Sequence, residues 1–155
     1  MTFQYSVCKE MFDTRGYTII CEEEHLLLGI NENQVVSVIV KQKVGLQELK
    51  QCYILWEKQK ADQRILIYHS LTPQAKHLIQ ANLPIETFQH SEMLFNITRH
   101  HWVPPHRLSN IQHLEKTKYP CILHTDPVVK FLGFKVGQVV EITRPNGELY
   151  YRRVV

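Results

Sequence analysis

The most constraining feature of the sequence is a series of closely spaced start and stop signals in residues 125–155, TDPVVKFLGFKVGQVVEITRPNGELYYRRVV. Asp126 followed by Pro127 is typical of a helix start, because aspartate caps free N–H groups and proline fits the first turn. Gly133 is placed to end that helix in a left-handed conformation. Gly137 then opens the strand-like QVVEITR, and PNGE supplies a turn before a last strand. The series predicts a small mixed α/β unit that ends in a β-hairpin.

Helix-like and strand-like segments alternate over the first 94 residues. Residues 3–14 and 46–58 have the apolar spacing of helices, whereas HLLLGI, VVSVIVK, RILIYHS and IETF are strand-like. The turn-like NENQ between the first two of these runs predicts a hairpin. Thr72 before Pro73 is an N-cap and first-turn pair that predicts a helix over PQAKHLIQAN. The alternation favours an α/β domain, so we expect the α/β (α+β) class for the chain.

The composition changes in FNITRHHWVPPH, residues 95–106. Pro104 and Pro105 restrict the backbone to extended geometry, which is typical of a rigid hinge between domains. We expect Trp102 to pack against one of the neighbouring domains. Ser109 is placed to cap a short helix that runs through Lys118.

The same segment contains His100, His101 and His106, which raises the question of a metal site. Zinc needs converging ligands, commonly with cysteine or an H-E-x-x-H helix, and neither is present here. We interpret the three histidines as hinge residues and expect no metal. The sequon at Asn96 is interpreted as accidental, because the four cysteines form no C-x-x-C pair and indicate free thiols in a reducing compartment.

Catalytic motifs are also missing. The chain has neither a glycine-rich phosphate loop nor a G-x-S-x-G elbow. In VIVK, Ile39 stands where a metal-dependent nuclease would need an acidic residue before Lys41. We therefore predict a protein that is not an enzyme and uses no cofactor.

The charge and hydropathy of the chain indicate which classes of partner it can contact. The formal net charge of +3 permits contact with nucleic acid without predicting it. No run of apolar residues approaches the length of a membrane span, so no membrane contact is expected.

The C-terminal stretch closely resembles the assembly domain of the fifth subunit common to eukaryotic nuclear RNA polymerases, a family that also has archaeal members. The family pattern reads approximately D-P-V-x-x-Y/F-x-G-x-K-x-G-x-V-V-K-I-I-R, and its final strand carries a Y-R pair matched here by Tyr151 and Arg152. Upstream, CKEMFDTRGYTI, ILIYHSLTPQAKHLI and FNITRHHWVPPH are similar to the family's first helix, T-P-S-A helix start and hinge. Glu141 departs from the pattern, because lysine is usual there.

The resemblance implies a jaw domain over residues 1–94, a hinge over 95–106 and an assembly domain over 107–155. It implies a non-catalytic polymerase subunit that docks on the largest subunit and places the jaw beside downstream duplex DNA, with transcription factors as further candidate partners. The implied docking residues are Asp126, Pro127, Phe131, Gly133, Gly137, Arg144, Tyr151 and Arg152. The implied DNA-proximal residues are Arg15, Thr72, Pro73 and Lys76, and the hinge residues are Trp102, Pro104 and Pro105.

The compact two-domain form is similar to versions encoded by large DNA viruses that carry their own polymerase. A viral protein would be expected in cytoplasmic viral factories and the virion, and a cellular one in the nucleus. The competing hypothesis is a free-standing nucleic-acid-binding or regulatory module that uses the same fold.

Overall fold

The computed structural model describes residues 5–82, 84–112 and 114–155. The chain divides into two compact units between Phe95 and Asn96, called here the N-terminal unit and the C-terminal unit. Each combines helices with a mixed sheet, which confirms the α/β (α+β) class. No helix among the described residues has the length and apolar character needed to span a bilayer.

The N-terminal unit is a five-stranded sheet with helices on both faces. The strands lie in the order β1-β2-β3-β4-β5; β1, β2 and β3 are antiparallel neighbours, and β3, β4 and β5 are parallel. In chain order the elements are α1 (Ser6–Arg15), β1 (Thr18–Glu23), β2 (Leu26–Ile30), β3 (Val35–Val44), α2 (Leu46–Gln59), β4 (Gln63–Leu71), α3 (Pro73–Asn82), β5 (Ile85–Gln89) and a 3-10 turn, His90–Met93.

The central strand β3 is buried on both faces. Ile39 packs in a cluster with Leu49 and Trp56 of α2. Val36, on the opposite face by strand alternation, lies beside Gly29 of β2 and the Phe12 ring of α1. The sheet is therefore enclosed between α1 on one face and α2 on the other.

The predicted elements of this unit match the structure closely. The hairpin around NENQ is formed by β2 and β3, and Gly16 ends α1 with φ 79°. Thr72 caps α3, because its Oγ1 accepts a hydrogen bond from the N–H of Ala75 at 3.3 Å. The start of the first predicted helix, including Phe3, lies outside the described residues.

The C-terminal unit is a four-stranded sheet with one short helix. The strand order is β6-β8-β9-β7, in which β7 and β9 are parallel and the other pairs are antiparallel. The core joins Val129 of the helix to Val140, Ile142 and Val154 of the sheet. In chain order the elements are a 3-10 turn Ile97–Arg99, β6 (His106–Leu108), a 3-10 turn Lys116–Lys118, β7 (Cys121–Ile122), α4 (Pro127–Leu132), β8 (Val139–Thr143) and β9 (Leu149–Val154).

One predicted helix of this unit is wrong. Between Ser109 and Lys118 the described residues contain only the 3-10 turn that starts at Lys116. Ile111 and Leu114 are exposed, so a helix here would bury little apolar surface. Short helices depend on such burial because their intrinsic stability in water is marginal.

The segment predicted as a hinge belongs to the C-terminal unit from Asn96 onward. Its 3-10 turn packs near α4, and the carbonyl of Pro105 accepts a hydrogen bond from the N–H of Thr143 at 3.0 Å. His106 then begins β6. These contacts connect the segment to the sheet.

A largely buried ion pair joins α1 to β5. The guanidinium of Arg15 donates to both carboxylate oxygens of Glu86, at 2.7 and 3.3 Å. The Arg15 side chain is only 5% exposed. The expectation that Arg15 faces DNA is therefore wrong, because its charge is engaged inside the N-terminal unit.

The packing around Gly29 predicts that Gly29→Ala destabilises the protein. A Cβ there would lie 2.6 Å from Cε2 of Phe12, and overpacking of this kind costs about 1–3 kcal/mol. The free energy of unfolding in urea should fall by that amount, and Phe12→Leu in the same background should restore part of it. The exposed control Gln47→Ala should change little; an unchanged unfolding midpoint for Gly29→Ala would contradict the close contact.

The ion pair predicts that Arg15→Met also destabilises the protein. It removes the guanidinium that donates to both oxygens of the partly buried Glu86 carboxylate, a loss of about 1–3 kcal/mol. Urea denaturation measures the change, and Lys76→Met removes an exposed cation as the control. Equal effects of the two substitutions would show that Arg15 has no structural role.

Candidate interaction surfaces

The residues of the D-P-V motif build and orient α4. Asp126 accepts hydrogen bonds from the N–H groups of Val128 and Val129 at 2.9 and 3.3 Å, and Pro127 occupies the first turn. Gly133 ends the helix with φ 72°. The predicted N-cap, first-turn proline and C-terminal glycine are confirmed as helix signals.

Phe131 is fully buried beside this motif. A buried ring cannot contact a partner, so its predicted docking role is wrong and its role is to fill the core. Gly137, also predicted to dock, has φ 88° and donates its N–H to the carbonyl of Val154 at 2.9 Å. It joins the end of β9 to the turn before β8.

Three polar side chains meet across β6, β8 and β9. The strand register places Arg107 opposite Glu141, and Glu141 opposite Tyr151. Nε and Nη2 of Arg107 both contact Oε1 of Glu141, and the Tyr151 hydroxyl donates to Oε2 at 3.3 Å. The Glu141 side chain is 4% exposed, whereas that of Arg107 is 70% exposed. Burial and the nearby Glu141 carboxylate raise the pKa of Tyr151, which keeps the phenol protonated as the donor.

This triad explains how the chain accommodates an acid at a position where the resembled family has lysine. A buried carboxylate is tolerated when it is paired and hydrogen-bonded, and both partners come from neighbouring strands. Arg107 is not predicted from the sequence, because β6 is only three residues long and follows two prolines. HRL is too short to show the alternation that is typical of a strand.

Two other predicted docking arginines make local contacts near the sheet. The Arg144 guanidinium lies 3.5 Å from the centroid of the Tyr150 ring, a cation–π geometry that fixes the side chain. Arg152 donates from Nη1 to the carbonyl of Cys121 at 3.2 Å. Arg144 itself is exposed at the start of the β8–β9 turn.

The start of α3 lies beside the end of β3. The N–H of Thr72 donates to the carbonyl of Val44 at 3.0 Å, and Lys76 is exposed one turn into the helix. Lys43 is exposed and directly precedes Val44, while Lys41 is partly exposed on the same strand. We call Lys41, Lys43 and Lys76 the β3–α3 lysines.

Acidic residues lie close to these lysines. Glu48 accepts a hydrogen bond from the N–H of Gly45 at 2.9 Å. Backbone hydrogen bonds lower the pKa of Glu48, and the charges of Lys41 and Lys43 lower it further. Lys41 also lines a cavity with Glu23 and Glu24, so acids lie beside that lysine as well. The sequence predicts Thr72, Pro73 and Lys76 as DNA-proximal residues. It does not predict the two lysines of β3, which the parallel sheet brings to the same end.

The histidine-rich segment has local structural roles. The side chain of Asn96 accepts hydrogen bonds from the N–H and hydroxyl of Thr98 at 3.0 and 2.6 Å, so both polar residues of the sequon stabilise a 3-10 turn. His100 accepts from the N–H of Trp102 at 3.3 Å, and Nδ1 of His106 lies 2.6 Å from the carbonyl of Pro104. Across residues 5–82, 84–112 and 114–155, no three histidines, cysteines or acids are grouped to hold a metal ion.

Trp102 is an exposed residue of the C-terminal unit. Its side chain is 79% exposed, and its ring lies against His101 with centroids 4.8 Å apart. The expectation that it packs against a neighbouring domain stays a prediction. Tryptophan at this exposure adds apolar surface to the C-terminal unit.

Comparison with known proteins identifies the C-terminal unit. Residues 95–155 match the family model described as RNA polymerase Rpb5, C-terminal domain. The start of the match, at residue 95, coincides with the start of the C-terminal unit at Asn96.

Curated relatives extend the similarity over more of the chain. The subunit RPABC1 of DNA-directed RNA polymerases I, II and III from Caenorhabditis elegans is 31% identical over 117 residues, covering 67% of this chain and 56% of the relative. The Caenorhabditis briggsae subunit gives the same values. The Dictyostelium discoideum subunit is 29% identical over 119 residues, covering 67% of this chain and 60% of the relative. The chain thus spans a little over half the length of these relatives.

A solved structure of EndoMS in the apo form resembles the chain only weakly. Its TM-score is 0.36 at 22% identity, over 53% of this chain and 44% of that chain. Residues 95–155 are thus similar to the Rpb5 C-terminal domain, and 67% of the chain is similar to shared subunits of RNA polymerases I, II and III.

Proposed function

We propose that this chain is a non-catalytic subunit of a multisubunit DNA-directed RNA polymerase. One observation carries the proposal: the part of the chain that matches the Rpb5 C-terminal domain is the same part that forms a compact unit with its own core. The relatives are shared polymerase subunits. A non-catalytic role agrees with the absence of catalytic motifs from the sequence.

The C-terminal unit is the anchor in this proposal, and it docks on the largest subunit. Docking favours side chains that are already fixed, because less conformational entropy is then lost on binding. Arg144 meets this condition through its contact with Tyr150. Asp126, Pro127 and Gly133 contribute indirectly by fixing α4.

The N-terminal unit is the jaw in this proposal, and it lies beside downstream duplex DNA. The β3–α3 lysines support this role, because cations next to a helix N-terminus favour phosphate oxygens. Lys41 and Lys43 add to Lys76 at one end of the sheet. Arg15 does not contribute, since its charge pairs with Glu86.

Origin in a large DNA virus, and with it a place in viral factories and virions, stays a prediction. The genes that flank this one would test it directly. Neighbouring genes for the two large polymerase subunits within a viral genome would support it.

Charge reversal at Arg144 tests the anchor. Arg144→Glu replaces a fixed, exposed cation and should reduce copurification with the two large polymerase subunits by about 10-fold, as expected for an interface hot spot. Lys116→Glu makes the same charge change at another exposed position of the C-terminal unit and should be incorporated normally. Deletion of the last five residues is a poor test, because it removes Val154 from the core.

Three outcomes of this experiment can be distinguished. If the unaltered chain does not copurify with the large subunits, the proposed function is overturned. Normal incorporation of Arg144→Glu would instead remove only Arg144 from the docking surface. High affinity of the isolated chain for DNA with a steep salt dependence would favour the free-standing nucleic-acid-binding module.

Charge reversal at the β3–α3 lysines tests the jaw. The double variant Lys43→Glu/Lys76→Glu should still enter the polymerase, but the complex should bind downstream duplex DNA more weakly. The slope of log affinity against log salt concentration should fall by about 1–2, as expected for the loss of one or two phosphate contacts. Lys50→Glu/Lys58→Glu, on exposed positions of α2, is the matched control, and equal slopes for both variants would contradict a DNA contact at this end.

A further inference from the structure

We propose that Arg107, held by the buried carboxylate of Glu141, docks on an acidic protein surface of the largest polymerase subunit. In this proposal Glu141 is a positioning residue that acts through Arg107. The inference rests on the proposed function and adds the chemistry of the contact: carboxylates of the partner protein pair with a pre-oriented guanidinium.

The geometry leaves one side of the Arg107 guanidinium open to a partner. Nε and Nη2 are directed to Oε1 of Glu141. Within the described residues Nη1 has no hydrogen-bond partner, and the side chain is 70% exposed. A guanidinium has five N–H donors in a rigid, planar arrangement, so fixing one edge also fixes the direction of the remaining donors.

The position of Glu141 is informative because β8 is otherwise apolar at its centre. Val139, Val140 and Ile142 are buried around it, and an apolar residue would avoid the cost of desolvating a carboxylate. Glu141 instead accepts from Arg107 on one side and from Tyr151 on the other. Tyr151 satisfies the second oxygen and so holds the carboxylate towards Arg107. The arrangement is explained if the chain needs Arg107 in one fixed orientation.

Charge favours an acidic partner. The C-terminal unit, residues 96–155, contains nine Lys and Arg against four Asp and Glu, whereas residues 1–95 contain nine against eleven. The positive excess of the whole chain therefore resides in the C-terminal unit. Long-range attraction guides association with oppositely charged surfaces.

The neighbouring apolar residues favour protein over nucleic acid. Leu149 lies on the same sheet face as Arg107 by strand alternation, and it is 47% exposed. Tyr151 lies on that face as well, two residues along β9 from Leu149. Aromatic and arginine side chains surrounded by apolar contacts are typical of protein interfaces, whereas phosphate contacts would not use exposed leucines.

The experiment measures binding of the full chain to the recombinant largest subunit of the same polymerase. Arg107→Ala should weaken binding by about 10-fold or more, as expected for a hot-spot arginine. Glu141→Gln keeps the shape and a hydrogen-bond acceptor but releases the charge partner, so it should weaken binding by a few-fold, less than complete loss of the arginine. Arg107→Lys keeps the charge without the planar geometry and should fall between the wild type and Arg107→Ala.

The double variant Arg107→Ala/Glu141→Gln gives the decisive comparison. If Glu141 acts by positioning Arg107, the Glu141→Gln change has no further effect on affinity once Arg107 is gone. If Glu141 only stabilises the fold, it weakens binding equally in both backgrounds, and the positioning role is overturned. Thermal unfolding of each variant shows that the affinities refer to folded protein.

The failures of the two proposals are distinguishable. No binding by the unaltered chain would overturn the proposed function. Binding by the unaltered chain that Arg107→Ala leaves unchanged would overturn this inference alone. A third outcome, loss of affinity for duplex DNA in Arg107→Ala with subunit binding intact, would assign Arg107 to nucleic acid and likewise overturn the acidic-protein partner.

Discussion

The N-terminal unit depends on burial of both faces of β3. An antiparallel partner on one side and a parallel partner on the other make β3 the strand where the connection type changes. The parallel half requires helical crossovers, and α2 and α3 supply them. Its other face must be covered as well, and α1 does this with the Phe12 ring against Gly29. The one polar side chain in the VVSVIV run, Ser37, is accommodated because its hydroxyl donates to Gln59 at 2.7 Å.

In the C-terminal unit, unlike at β3, the two faces of the sheet are buried by different kinds of contact. One short helix covers one face of the sheet, where Val129 meets Val140, Ile142 and Val154. The opposite face at the centre of β8 holds the Glu141 carboxylate, and its satisfaction depends on side chains from β6 and β9. A small unit gains limited stability from its core. The polar network of Arg107, Glu141 and Tyr151 therefore matters mainly because it fixes an exposed side chain that a partner could recognise. α4 therefore builds the fold, whereas the opposite face of the sheet carries the exposed Arg107 side chain.

Capping residues and turn residues in the sequence predict the helices whose ends are fixed by contacts between near neighbours in the chain. Asp126, Pro127 and Gly133 define α4 through contacts within the helix, and Thr72 does the same for α3. The failures have a shared physical cause, because each depends on contacts distant in sequence. Arg15 resembles a solvated loop residue in the sequence, but β5 places Glu86 beside it. Phe131 resembles a surface motif residue, but it is buried in the folded unit. The Arg107–Glu141 pair joins residues 34 positions apart through a strand of three residues that has no detectable period.

The distribution of charge constrains how the two proposed contacts can work together. With more acids than bases, residues 1–95 would not draw DNA from a distance, and at physiological ionic strength charges are screened beyond about 8 Å. The β3–α3 lysines can therefore act on phosphates only after the duplex is already close. The basic C-terminal unit can attract an acidic protein from solution, so docking would come first and the lysine contacts would follow from assembly. A chain built in this way would contribute to DNA holding within the polymerase while binding DNA weakly alone, which distinguishes it physically from a free-standing DNA-binding module.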